Sequence, residues 1–244
     1  MTDPSALDRE RPILIAGPTA SGKSALALDL AERHGGVVIN ADALQVYENW
    51  RILTARPGPQ DLARAPHALY GHVAPRESYS VGHWLREIAP LLQGPRQPIV
   101  VGGTGLYFTA LTEGLAEVPP VPQELRDAAQ ERPLAVLLAD LDAPTRARID
   151  TANPARVRRA WEVLQATGRG IAAWQEDTPA PLLPLHDAQA LLLEAPRDWL
   201  APRIARRFDA MLAAGALDEV RGNLGGWSPE RPSSRAIGAP DLVA

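Results

Sequence analysis

Residues 17–24 read GPTASGKS, with Gly17 and Gly22 five positions apart and Lys23 and Ser24 directly after them. The spacing matches G-x-x-x-x-G-K-[ST], the phosphate-binding P-loop pattern. The two glycines allow backbone torsions that a side chain would block. The N–H groups along Pro18, Thr19, Ala20, Ser21 and Gly22, proline excepted, can therefore turn inward on a phosphate. Lys23 supplies a mobile point charge, and a helix starting near it adds the positive end of its dipole. The Ser24 hydroxyl is placed to ligate Mg²⁺. The plainer alternative is a glycine turn that binds nothing. Against it, the apolar run Ile13–Ala16 before the loop and Ala25–Leu28 after it supply the strand and helix that the pattern requires.

Three other stretches could place chemistry beside that loop. The apolar run Val37–Asn40 leads into ADALQVY at 41–47. An acid just past such a strand, here Asp42, lies in the crevice where open α/β sheets bind ligands. Capping a following helix is an equally open reading of Asp42. A second glycine turn, Gly102–Gly105, follows Ile99–Val101 and offers the Thr104 hydroxyl as a donor to phosphate; a simple tight turn is the alternative. Farther on, Arg203 and Arg207 stand one helical turn apart on a predicted helix over 198–214, so both can reach one anion. The same helix carries Leu200, Ile204, Phe208, Met211 and Leu212 on one face.

These residues need a sheet with its strand ends together. Strands are expected at 12–16, 37–40, 99–101 and 190–193. Helices are expected at 24–34, 80–93 and 217–224, with another beginning near Asp241. Residues 57–79 read as loop with short strand pieces, and His67, His72 and His83 lack metal-ligand spacing. The stretch 123–176 reads as helices broken at Asn153-Pro154, preceded by a stiff connector at Pro119, Pro120 and Pro122. It bears Arg126, Arg156 and Arg159 among other arginines; Arg156 and Arg159 share a helix face. A solvated face and a phosphate-backbone contact are both open for them.

The fold class expected is α/β, a P-loop NTPase-like parallel sheet flanked by helices with an inserted small helical domain. The core would occupy 12–115 and 179–244 and the insert 116–178. A chain of 244 residues is long enough for that arrangement, and with no cysteine it has neither disulfides nor thiolate metal sites. The net charge of −4 means that any nucleic acid must be met by a local basic patch. Residues 1–11 are polar, unlike a secretory signal, and are expected to be a frayed leader. No apolar stretch approaches membrane-spanning length, so a soluble cytoplasmic protein is expected. A monomer is expected as well.

Taken together, the motifs resemble the tRNA dimethylallyltransferase (tRNA isopentenyltransferase) family. Those carrying the resemblance are GPTASGKS, NADALQVY at Asn40–Tyr47, TARP at Thr54–Pro57, APH at Ala65–His67 and YSVGHW at Tyr79–Trp84. VVGGTGLYF at Val100–Phe108, NPARVRRAWEVLQATG at Asn153–Gly168, RIARRFDAML at Arg203–Leu212 and SSRAIG at Ser233–Gly238 complete the set, in chain order over about 11–240. The resemblance implies transfer of a dimethylallyl group from dimethylallyl diphosphate to the exocyclic amine of the adenosine 3′ of the anticodon. The P-loop would hold the prenyl diphosphate rather than ATP. It also implies roles: Asp42 as base, Gln45 with its neighbours Ala43 and Leu44 against the target base, and Lys23, Thr104, Ser24 with Mg²⁺, and Arg203 or Arg207 on the diphosphate. Arg126, Arg156 and Arg159 in the inserted domain would hold the tRNA anticodon stem-loop.

Three departures from the family pattern bear on this. Ala43 stands where most members have serine, the segment between Arg126 and Asn153 is short, and the basic T-R-x-Y-A-K-R-Q-type segment does not occur. Either the sequence is a fragment or its tRNA affinity is reduced, with donor binding less affected. The alternatives are a small-molecule P-loop kinase, prenylation of free AMP or ADP, and an RNA-binding remnant without catalysis.

Overall fold

In the strands, successive apolar residues face opposite sides of a sheet. The computed structural model describes residues 7–243. In it β1 (Ile13–Ala16), β2 (Val37–Asn40), β3 (His67–Ala68), β4 (Pro98–Gly102) and β5 (Gln189–Leu192) form one parallel sheet, ordered β3-β2-β4-β1-β5. One face carries Ile13, Ile15, Val38, Ile99 and Val101 against Ala27, Leu28, Leu30 and Ala31 of α1 (Lys23–His34). After α2 (Pro59–Arg64), the other face packs Leu14, Ile39 and Val100 against Trp84 and Ile88 of α3 (Val81–Leu92), and Tyr107 and Leu111 of α4 (Gly105–Glu113). Covering both faces of a parallel sheet is what makes its strands near-continuously apolar.

The chain forms two compact units, one from residues to Thr112 together with those from Leu182, the other from Glu113–Pro181. The second is helical: α5 (Gln123–Glu131), α6 (Leu134–Asp140), α7 (Ala143–Arg148), α8 (Pro154–Thr167) and α9 (Ile171–Glu176). Its core is Ala129, Leu137, Leu141, Val157, Ala160 and Trp161. The helix break read at Asn153-Pro154 is the start of α8: Asn153 Oδ1 accepts the Ala155 N–H at 3.1 Å and proline occupies the first turn, where its missing N–H costs nothing.

The first unit ends with α10 (Arg197–Ala213), α11 (Ala216–Asn223) and α12 (Ala239–Val243). Trp50 and Leu53 pack with Ala216, Val220, Ala236 and Ala239 in a cluster separate from the sheet core.

Four expectations need correction. The stretch 57–79, read as loop with short strand pieces, holds the helix α2 at Pro59–Arg64, with proline in its first turn and Asp61 accepting the Gly58 N–H. The fourth expected strand, at 190–193, begins one residue earlier, because Gln189 pairs with Ile13 and its N–H donates to Pro12. The first helix begins at Lys23 rather than Ser24. Of the leader read as frayed, residues 1–6 lie outside the described residues, but Asp8 and Arg11 are tied down. Gln97 Nε2 donates to both their carbonyls at 2.8 and 2.7 Å, the Asp8 N–H donates to Gln189 Oε1 at 2.7 Å, and Arg11 donates to the His186 carbonyl.

β4 lies between β1 and β2, so the turns after β1, β2 and β4 open at one end of the sheet. At Gly102 a Cβ would lie 2.0 Å from the Ala41 carbonyl oxygen, so only glycine lets these two strand ends meet.

Candidate active site

The loop between β1 and α1 is built to leave N–H groups open. Gly22 takes φ 96°, and α1 starts with no side-chain cap and no acid in its first turn. The N–H groups of a helix's first turn have no partners within the helix and favour an anion. Lys23 Nζ donates to the Pro18 carbonyl at 3.1 Å, and the buried Ser21 hydroxyl has no partner.

Ala20, Gly22, Lys23 and Ser24 form one side of a hollow of about 330 Å³, and Arg203, Arg206 and Arg207 of α10 form the other. Arg203 is fixed by its Nε donating to the Ala20 carbonyl at 3.0 Å and by stacking 4.2 Å over Trp199. Burial pulls the Lys23 pKa down; Asp42 opposes the fall and Arg207 adds to it. Burial likewise lowers Arg207, again opposed by Asp42. So many cations in one hollow suit a ligand with several negative oxygens.

Lys23, Ser24 and Arg207 also line a second hollow of about 330 Å³, with Thr19, Asp42, Leu44 and Gln45. The Asp42 turn is fixed from both sides. Fully buried Asn40 accepts the Asp42 N–H at 2.9 Å on Oδ1 and donates through Nδ2 to the Asp42 and Leu69 carbonyls. Asp42 Oδ1 accepts the Leu44 N–H at 2.9 Å in a turn, and no helix follows. Of its two readings, the cap of a helix is therefore excluded and the crevice position holds.

Thr104 Oγ1 accepts the Ala43 N–H at 2.9 Å, and its own hydrogen remains free to donate. Gln45 Nε2 donates to the carbonyls of Thr54 and Ala55 at 2.7 and 3.3 Å. Tyr70 also lines this hollow, its phenol pushed well above the ordinary value by burial and then by the charge of Asp42, so it stays neutral.

The remaining wall is apolar: Leu53, Ile204, Phe208, Met211 and Ile237. Ile204, Phe208 and Met211 recur at helical spacing on α10, yet no residue of α10 is buried, and Ile204 and Phe208 are 44% and 40% exposed. This face lines a hollow, with Met211 also packed against the Trp50 and Leu53 cluster.

The structure thus brings Thr19, Lys23, Ser24, Asp42, Leu44, Gln45 and Arg207 to the second hollow, and Ala20, Gly22 and Arg203 to the first. Gly17, Pro18, Ser21, Ala43 and Thr104 line neither hollow. Arg126, Arg156 and Arg159 lie on α5 and α8 of the second unit, all exposed, with Arg159 3.6 Å from Glu162. Sequence reasoning missed Arg206, although it lies three residues from Arg203 and so on a neighbouring line of the same face.

The profile of the IPP transferase family matches residues 45–244, and that of the isopentenyl transferase family matches 11–68. The chain belongs to the IPP transferase family. Among similar members, the tRNA dimethylallyltransferase of Dinoroseobacter shibae is 64% identical, over all of this chain and 84% of that protein. The tRNA dimethylallyltransferase of Paracoccus denitrificans is 61% identical, over 98% of this chain and 82% of its own. A crystal structure of a eukaryotic dimethylallyltransferase acting on tRNA is similar with a TM-score of 0.77 and 25% identity, over 95% of this chain. The chain spans 65% of that eukaryotic enzyme's length. The full-length tRNA isopentenylpyrophosphate transferase of Bacillus halodurans gives a TM-score of 0.62 at 30% identity, over 96% of this chain and 76% of its own. In this family member the P-loop NTPase-like fold therefore accompanies both hollows described above.

Proposed function

We propose that this protein transfers a dimethylallyl group from dimethylallyl diphosphate to the exocyclic amine of the adenosine 3′ of the anticodon, in tRNAs that read codons beginning with U. The observation that carries the reading is the junction of the two hollows at Lys23, Ser24 and Arg207, with Asp42 and an apolar wall in the second. The diphosphate sits among Lys23, the open N–H groups of the loop, and the arginines of α10. The five-carbon chain lies against Ile204, Phe208 and Met211, which brings its reacting carbon beside Asp42. Relatives named tRNA dimethylallyltransferase support the same activity.

The reaction is a substitution. The adenine nitrogen forms a bond to the first carbon of the dimethylallyl group while that carbon's bond to the diphosphate oxygen breaks. The amine proton passes to the Asp42 carboxylate. Charge grows on the leaving diphosphate, where Lys23 and Arg207 are already in place and need no rearrangement. Arg207, which lines both hollows, is assigned to the bridging end of the diphosphate, and Arg203 to its far end. A target base can reach Asp42 only by leaving its stack. The exposed Arg126, Arg156 and Arg159 hold the anticodon stem-loop through its backbone.

Among the described residues no group of three or more His, Cys, Asp or Glu could hold a metal. A magnesium ion needs no such group: the Ser24 hydroxyl, diphosphate oxygens and water suffice, and Ser24 faces both hollows. When bound, the ion offsets the charge of the leaving group. Among the described residues no helix is long and apolar enough to cross a membrane. The enzyme is proposed to be a cytoplasmic monomer.

The test is transfer of labelled dimethylallyl from its diphosphate to unmodified tRNA with Mg²⁺, with ATP hydrolysis followed in parallel. Label in the tRNA is expected. ATP turnover without binding of the prenyl diphosphate would overturn the reading in favour of a kinase. Prenylation of AMP or ADP but not tRNA would overturn the acceptor assignment. Binding of RNA and donor without transfer would mean an RNA-binding remnant.

A further inference from the structure

One wall of the second hollow is held from far along the chain. Glu219, in the first turn of α11, accepts the N–H of Arg51 at 2.7 Å, of Ile52 at 2.9 and 3.1 Å on its two oxygens, and of Leu53 at 2.9 Å. Three successive N–H groups converging on one carboxylate form an anion nest. The loop then continues into Thr54 and Ala55, whose carbonyls accept from the Gln45 amide. Ala55 has φ 50°, in the left-handed region, and such strain persists only where the surroundings over-determine it. Glu219 and Arg56, whose guanidinium donates to the Trp50 and Glu48 carbonyls, supply that constraint.

The consequence falls on Gln45. Its amide nitrogen is committed to the loop carbonyls, so the side-chain group left to meet a ligand in the hollow is the acceptor Oε1. An acceptor beside Asp42 suits an amine donor and repels a carbonyl.

We propose that Glu219 is a positioning residue for the acceptor side of the reaction. It holds residues 51–55 in the shape that turns the Gln45 carbonyl oxygen toward the target amine. The proposal rests on the function proposed above.

The test is a double-mutant cycle on the full chain, reading kcat/KM for an anticodon stem-loop RNA together with the affinity for dimethylallyl diphosphate. Glu219→Ala is expected to lower kcat/KM for RNA about tenfold, the scale of one misplaced hydrogen bond, with donor affinity held within twofold. Glu219→Gln, which keeps one carbonyl acceptor for the nest, should fall less. If Glu219 acts through Gln45, adding Glu219→Ala to Gln45→Ala should lower kcat/KM no more than twofold further. Effects that multiply fully in the double variant would overturn the proposal, as would loss of donor binding in parallel with RNA use. Failure of the unaltered protein to modify RNA would instead overturn the proposed function, and this inference with it.

Discussion

Thr104 Oγ1 accepts the Ala43 N–H at 2.9 Å, so the turn after β4 fixes the residue next to Asp42 in the turn after β2. Thr104 lines neither hollow, so its part in the proposed reaction is to hold that turn. Thr104→Ala should lower kcat about tenfold, having lost the bond to the turn. Thr104→Ser, which retains the hydroxyl, should recover most of it. Single-turnover rates check this, and a serine variant as slow as the alanine one would assign the effect to the methyl group.

Asn40 holds Asp42 by its N–H and its carbonyl, so with the carboxylate altered the turn keeps those two bonds and loses only the one from the Leu44 N–H. Asp42→Ala is expected to cut the transfer rate by about 10²–10⁴ while donor affinity stays nearly intact. Equilibrium binding of the prenyl diphosphate, measured beside the rate, separates the two. Loss of donor binding would show that Asp42 serves the diphosphate instead.

The two arginines first singled out on α10 should not be equivalent. Arg207 lines both hollows, whereas Arg203 has its Nε committed to the Ala20 carbonyl and its guanidinium stacked on Trp199. Arg207→Ala should therefore raise the KM for the donor about 10–100-fold, the scale of a lost charge-assisted bond, and Arg203→Ala by less. Steady-state kinetics with varied donor decides the order.

Under the proposed function, Lys23 should make donor binding sensitive to alkali. Burial pulls its pKa below the ordinary 10.5; Asp42 opposes this and Arg207 adds to it. A diphosphate prefers the ammonium form, so affinity is full below the lowered pKa and declines as pH rises through it. The decline should begin earlier than for an ordinary lysine. Titrating donor affinity between about pH 7 and 10 tests this. Lys23→Arg keeps its charge over that range and should give a flat profile, at a lower absolute affinity because a guanidinium fits a point-charge site poorly.

Arg156 and Arg159 are exposed on α8, and Arg159 has only a long contact to Glu162, 3.6 Å away. Exposed pairs of this kind contribute little to stability. Replacing both by alanine should leave thermal stability nearly unchanged, weaken RNA binding, and reduce the dependence of log affinity on log salt by about 1 to 2. An unchanged salt slope would return them to a solvated face.

Much of this site was legible because its parts are local in sequence. The P-loop, the acid after β2 and the glycine turn after β4 each declare themselves within eight residues, and parallel topology brings strand ends together. The apolar residues of α10 were legible as a face, but a 3.6-residue period reports sidedness and says nothing of what the face meets; here it meets a hollow. Glu219 was not legible at all. It acts on backbone N–H groups 166–168 residues away, and backbone groups carry no residue-specific signal. The tethering of Asp8 and Arg11 was hidden for the same reason, since Gln97 takes their carbonyls.

β1, which carries the P-loop, borders β4 on one side and β5 on the other, with Ile13 opposite Gln189. A chain emerging residue by residue therefore makes the P-loop early and the strand that borders its other flank only after Glu113–Pro181. In between, the whole of Glu113–Pro181 has been produced, with an apolar cluster of its own. Local helices form far faster than such long-range strand pairs, so the first unit is expected to wait with an unpaired edge while the helical unit can already bury its own cluster. A ribosome stalled within that interval would hold a chain whose residues 113–181 already include a full apolar cluster and whose P-loop hollow still lacks Arg203, Arg206 and Arg207.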